Sequence, residues 1–389
     1  MVRAVTGDHI MFNECIEAFR PENLRVNREK KQLIGYLLLD FDLNKELDFE
    51  HFTIAPSRRI PIDGVYAGLL APVVLKETHE MNKPHLFIYA LSAIISFVLG
   101  RSIKAPRNGY WIEERIMDVR ELRDLAIQHP ILSAGPGAYN PIIQESALRE
   151  LHMDCQKLII ILYDIPYKKY KELMQSIRLV HLALLNKRED FALGYYLLVS
   201  AIESIAETAI DRKKVKFKHA LEGEWKNIAV ENEVVNTLFE EYKKMSGMNK
   251  YLGKRFVEFI MKYCPLDQWN KIKHPYDDMG LPSINFSGTA LDCSYNDRGT
   301  QTYLQGQSEE EIRGILLDAY NHRSKFTHKG ENPPHLTPNS FHIFFDKQKH
   351  VKKVNNSDEL VEIILPNFNL MTFLAKNSIL SYIFQKHTK

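Results

Sequence analysis

Apolar residues run along this chain in two different rhythms. In the first third they come in short blocks. Residues 33–41 (LIGYLLLDF) and 73–76 have the length and continuity of strands or short apolar segments. Residues 59–64 carry Pro61 and Gly64 and predict a turn. The longest apolar run, residues 86–100 (LFIYALSAIISFVLG), predicts a buried helix near 84–99. Ile116, Val119, Leu122 and Ala126 recur at helical spacing and predict a second helix over 112–129.

From residue 142 onward a helical period dominates. It predicts helices near 143–162, 167–186, 190–211, 231–246, 249–263 and 308–328. The two rhythms meet at residues 129–141 (HPILSAGPGAYNP), where three prolines and two glycines mark a domain boundary. The expected organisation is an N-terminal α+β domain over 1–140 and a larger helical domain over 141–389, mainly α in all. Residues 264–307 show little period and many turn residues. Toward the end, residues 340–345 (SFHIFF) and 351–354 predict a short hairpin. A last helix over 358–385, bent at Pro366, follows.

Composition removes several function classes. Lys+Arg number 51 against 49 Asp+Glu in 389 residues, a net charge of +2. That balance excludes a chain-wide polybasic coat but leaves room for a local basic patch. Hydrophobic residues are 45% and charged residues 26%, which excludes bulk disorder. The four cysteines, Cys15, Cys155, Cys264 and Cys293, form no C-x-x-C pair and suit a reducing cytosol. The N-terminus lacks a signal-peptide core, and residues 86–100 fall short of the roughly 20 needed to span a bilayer. The expectation is a cytoplasmic protein with no membrane partner. There is no phosphate-binding loop, Rossmann fingerprint, H-E-x-x-H or G-x-S-x-G. Gly135-Pro136-Gly137 lacks the lysine a phosphate loop needs, and the 15 histidines are scattered. No metal and no cofactor are expected.

One segment carries chemistry: residues 308–330, SEEEIRGILLDAYNHRSKFTHKG. Ser308 and Glu311 form a capping box, and Glu309 and Glu310 favour the positive end of the helix dipole. Gly330 suits the left-handed position after a helix, and Pro333 and Pro334 forbid continuation. Ile312, Ile315, Leu316 and Ala319 make the buried stripe, whose next place is Arg323. A guanidinium there is costly unless paired or hydrogen-bonded. Five residues on comes His328. Spacing alone favours an Arg paired with a Glu of a neighbouring helix, and a surface His.

Arg323-Ser-Lys-Phe-Thr-His328, preceded by Tyr320-Asn321-His322 and followed by Lys329-Gly330, resembles the R-x(4–6)-H motif of HEPN domains. The Y-x-x-R-S-x-x-x-H-x-G form is similar to their Apea-like branch. The segment 195–207, with Glu203 and Glu207, is similar to that branch's earlier helix. In outline the resemblance covers residues 143–388; it is specific at the two helices. In many members the residue after the Arg is Asn, Asp or His, where this chain has Ser324.

The resemblance implies a helical bundle with a small hairpin that acts as a metal-independent endoribonuclease. His328 would be the acid or base, since an imidazole titrates near working pH, and Arg323 the phosphate clamp. Tyr320, Asn321 and Glu203 would support them. Lys325 and Lys329 flank the pair, and Lys213 and Lys214, in the run 212–218 with Phe217, offer a second RNA contact. One imidazole cannot serve both sides of an in-line transfer, so a homodimer with a shared site is expected, as the family also implies. The family further implies a prokaryotic defence or toxin-like effector. Residues 1–140 would then be a regulatory part answering to a protein or ligand. The alternative is a non-catalytic HEPN-like binding or dimerisation module, with Arg323 a structural residue ion-paired with Glu203 or Glu207.

Overall fold

The computed structural model describes residues 8–23, 32–76, 83–132, 143, 145–187, 189–216, 219–248, 250–272, 303–335, 342–354 and 357–387. Much of the predicted boundary at 129–141 and of the stretch 264–307, with Phe217 and Cys293, lies outside them.

Helix α1 (Asp8–Phe19) precedes β1 (Leu33–Leu39), β2 (Leu47–Asp48), β3 (Phe52–Ile54), β4 (Arg58–Pro61) and β5 (Tyr66–Leu75). Helix α2 (Pro84–Leu99), β6 (Ile103–Lys104), α3 (Arg123–Ala126) and β7 (Ile131–Leu132) complete this part. Its strands form one antiparallel sheet in the order β2-β3-β5-β1-β6, with β4 and β7 also pairing β5. Alternate residues of a strand face opposite sides, so β1, buried along nearly its whole length, is covered on both. One cover is α2, which closes on the sheet over Gly35, where a Cβ would fall 2.1 Å from the Ile88 Cδ1. The other is a smaller cluster of Tyr36, Ile60, Trp111, Leu122 and Leu125.

The helix expected over 112–129 is reduced to α3. Glu113 pairs instead with Ile34 of β1, and Asp118 caps a turn that begins only after it, its carboxylate accepting from the backbone N–H groups of Arg120 and Glu121 at 2.8 and 2.9 Å.

Then come α4 (Glu145–Asp164), α5 (Tyr167–Asn186), α6 (Phe191–Ala209), α7 (Arg212–Val215), α8 (Glu222–Glu231), α9 (Glu233–Met248), α10 (Leu252–Tyr263) and α11 (Glu309–Lys329). The hairpin β8 (Phe345–Val354) and β9 (Ser357–Pro366) and the helix α12 (Phe368–His387) follow. The chain is mostly helical, with the antiparallel sheet as its β part. The hairpin exists, but not between the segments expected. Its second strand is 357–366, the stretch read as the start of the last helix. Val361, Ile363 and Ile364 are β-branched, Pro366 ends the strand, and Asn367 caps α12 by accepting from the Leu370 N–H at 2.7 Å. Helices α1 and α8 were not predicted.

Helix α2 is buried on its far side against α4 and α5, and one apolar core runs from Phe12 to Ile383. Polar bonds cross the same seam. The Tyr170 hydroxyl donates to the Ile16 carbonyl at 2.7 Å, and His181 Nε2 lies 2.7 Å from the Ile103 carbonyl. No described helix is long and apolar enough to cross a membrane.

Candidate functional site

Helix α11 forms as its sequence dictates. Ser308 accepts from the Glu311 N–H, and the Glu311 carboxylate accepts from the Ser308 N–H, so both halves of the capping box are made. Gly330 closes the other end at φ 67°, in the left-handed region. Ile312, Ile315, Leu316 and Ala319 are buried, and the helix lies on α6 and α10.

Arg323 continues that stripe toward α6. Its Nη2 is 2.6 Å from Glu203 Oε2, and its Nε donates to the Ser200 hydroxyl at 3.4 Å. The pair is largely withdrawn from solvent, with side chains 20% and 12% exposed. Tyr320 donates its hydroxyl to the other Glu203 oxygen at 3.1 Å. The guanidinium lies over the rings of Tyr196 and Tyr320, 5.4 and 5.9 Å from their centroids, and Phe326 packs against Tyr196. Burial and the adjacent Glu203 carboxylate push the Tyr320 phenol up to about 12, so it stays a donor. Glu207, the other expected partner, pairs instead with Lys250 at 3.2 Å, while its carbonyl and that of Ile210 accept from the buried Arg255, capping the end of α6.

His328 does not join this cluster. Five residues at 100° each put it about 140° around the helix from Arg323. It is exposed, as is Asn321, about 160° from Arg323. Lys325 and Lys329 lie on the neighbouring face, both exposed, with Glu331 3.9 Å from the Lys329 ammonium. The contacts Tyr320–Glu203 and Phe326–Tyr196 show that α11 runs antiparallel to α6. Lys213 and Lys214, on α7 beyond the far end of α6, are therefore roughly 20 Å along the axis from the His328 end, at 1.5 Å per residue. Within one chain the structure gathers Arg323, Tyr320 and Glu203, leaves His328 beside Lys325 and Lys329, and keeps Lys213 and Lys214 apart from both. In the hairpin the register sets Lys349 opposite Glu362, Lys352 opposite Glu359 and Lys353 opposite Asp358.

Sequence reasoning missed Tyr196, Ser200 and Phe326. The signal was present: Tyr196, Ser200, Glu203 and Glu207 share one face of α6 at i, i+4, i+7 and i+11. Among the described residues no group of three or more His, Cys, Asp or Glu is placed to hold a metal. Cys15, Cys155 and Cys264 are buried and free, and burial raises their thiols, Cys15 and Cys264 to about 12. Such thiols are poor nucleophiles. Comparison with family models, curated proteins and solved structures finds no match to this chain.

Proposed function

We propose that the chain is a metal-independent endoribonuclease of the HEPN type, working as a homodimer. The observation that carries this reading is the end of α11. It holds an oriented guanidinium on one face and an exposed imidazole, flanked by two lysines, on another. In the reaction a base removes the 2′-OH proton, the 2′-oxygen bonds to phosphorus, and the P–O5′ bond breaks as the 5′-oxygen takes a proton. The products are a 2′,3′-cyclic phosphate and a 5′-OH end. His328 serves as acid or base; for Arg323 to offset charge on the phosphate, the phosphate must displace Glu203 on the other face of the helix. Base and acid must stand on opposite sides of the phosphorus, and one His328 fills one of those places. A two-fold mate covering the solvent face of α11, with Asn321, Ser324 and His328, supplies the other. The expected role is a prokaryotic defence or toxin-like effector, with residues 1–140 as its regulatory part. An RNA carrying 2′-deoxyribose at the cut site should resist cleavage, and EDTA should leave cleavage of ordinary RNA unchanged. Equal cleavage of the deoxy substrate overturns the mechanism.

A second reading is favoured by the Arg323–Glu203 pair. A guanidinium already held at 2.6 Å by a carboxylate and covered by two rings is what a structural residue looks like. On this reading the helical part is a non-catalytic binding or dimerisation module.

A further inference from the structure

The face of α11 turned away from α6 borders an open groove of about 920 Å³, whose opposite wall is β9. Four consecutive β9 residues, Val361 to Ile364, line it. Successive strand residues point to opposite faces, so only the edge of a strand presents an unbroken run. Strand β9 pairs with β8 alone among the described strands, and no main-chain bond from the described residues reaches the outer edge of 361–364. Such an edge is a template for another strand.

The helical wall is shaped for close approach. Gly314 stands inside α11, where glycine costs about 1 kcal/mol relative to alanine. None of the described atoms beyond its own helix backbone and chain neighbours lies within 4 Å of where its Cβ would be. No packing within the chain therefore accounts for the missing side chain, whereas a backbone entering the groove would use the space. The charge of the walls selects the visitor. Glu311, Asp318, Glu331 and Glu362 line the groove against one ammonium, Lys325. Glu311 is engaged in the helix cap, Glu331 lies near Lys329 and Glu362 stands opposite Lys349 of β8, but Asp318 makes no ion pair among the described residues. His322, half-buried on the same wall, is held below the ordinary imidazole range by burial and adds little positive charge at neutral pH.

We propose that this groove binds an extended segment of a partner protein bearing lysine or arginine, added as a strand to the free edge of β9. Main-chain hydrogen bonds to β9 hold it, its backbone passes over Gly314, and its cations face Asp318 and Glu362. Four carboxylates against one ammonium disfavour a nucleic acid here. The groove shares Lys325 and the Gly314–Asn321 side of α11 with the proposed dimer face, so the peptide and a mate seated there exclude one another.

The test uses the full chain and a fluorescent peptide of alternating lysine and valine, read by anisotropy. The peptide should bind, more weakly as salt rises. A glutamate-for-lysine version and a version N-methylated at alternate backbone nitrogens should each bind at least about tenfold more weakly. Gly314→Leu should lose binding to the same degree with its unfolding temperature unchanged or raised, so a folding defect is not the cause. Asp318→Asn with Glu362→Gln should weaken binding and flatten its salt dependence. The proposal is overturned if the basic peptide does not bind, if the acidic or N-methylated one binds equally, or if Gly314→Leu binds like wild type. It is also overturned if single-stranded RNA binds wild type and loses that binding in Gly314→Leu.

Discussion

Two faces of α11 carry polar chemistry of opposite kinds. On the face against α6, Arg323 is held by Glu203, Ser200 and two aromatic rings, mostly out of water. On the solvent face, Asn321 and His328 are exposed and Ser324 is half-buried, and none of the three makes a side-chain hydrogen bond or ion pair among the described residues. A withdrawn charge must be matched inside its own chain, so its removal is read in stability. An exposed imidazole is matched to nothing, so its removal is read in what the protein does to something else.

The largest expected effect on stability follows from breaking the matched face. Glu203→Ala strands the Arg323 charge and should cost about 3 kcal/mol, read from urea unfolding, while Asn321→Ala on the other face should stay within about 0.5 kcal/mol. Equal small losses from both would erase the distinction. Next in size is the cap that both faces share. Ser308→Ala removes the acceptor for the Glu311 N–H and should cost about 1 kcal/mol in the same measurement. A loss near zero would mean that packing on α6 and α10 alone fixes the start of α11.

A third effect is a pH dependence to which the matched face contributes, seen only at alkaline pH. The Tyr320 phenol is raised from 10 to about 12 in the fold, so the neutral form is favoured there. Its contribution is complete below pH 10 and is lost as pH rises through about 12. Other buried tyrosines, Tyr163, Tyr170 and Tyr195, also titrate high and lower alkaline stability in any variant. The difference between wild type and Tyr320→Phe isolates Tyr320: the variant should lose less stability between pH 10 and 12. Parallel curves would place the hydroxyl outside the Glu203 network.

Much of α11 was legible because its signals are local. The capping box, the apolar stripe and the terminal glycine lie within one element, and their physics needs no other part of the chain. Arg323 on that stripe already implied a carboxylate partner, and Glu203 was among the candidates. Long-range and competing signals were less readable. The spacing of Ile116, Val119 and Leu122 is helical, yet Glu113 is drawn into a bridge with Ile34 of β1 and the Asp118 carboxylate caps a turn that begins only after it. Strand β8, rich in lysine, has no apolar alternation to announce itself, and its partner is set by pairing along 357–366. That His328 and Arg323 point apart is simple helical geometry, but what each meets depends on where α6 lies.

The most direct measurement of the central claim is incubation of RNA with wild type and with His328→Ala, both in EDTA, with end-group analysis of the products. Wild type should cut, leaving 2′,3′-cyclic phosphate and 5′-OH ends. His328→Ala should be slower by about 10²- to 10⁴-fold, the usual span for a general acid–base group, with unchanged unfolding. Equal cutting by both proteins, or none by wild type at any RNA tested, would contradict the ribonuclease account and leave α11 to the binding module.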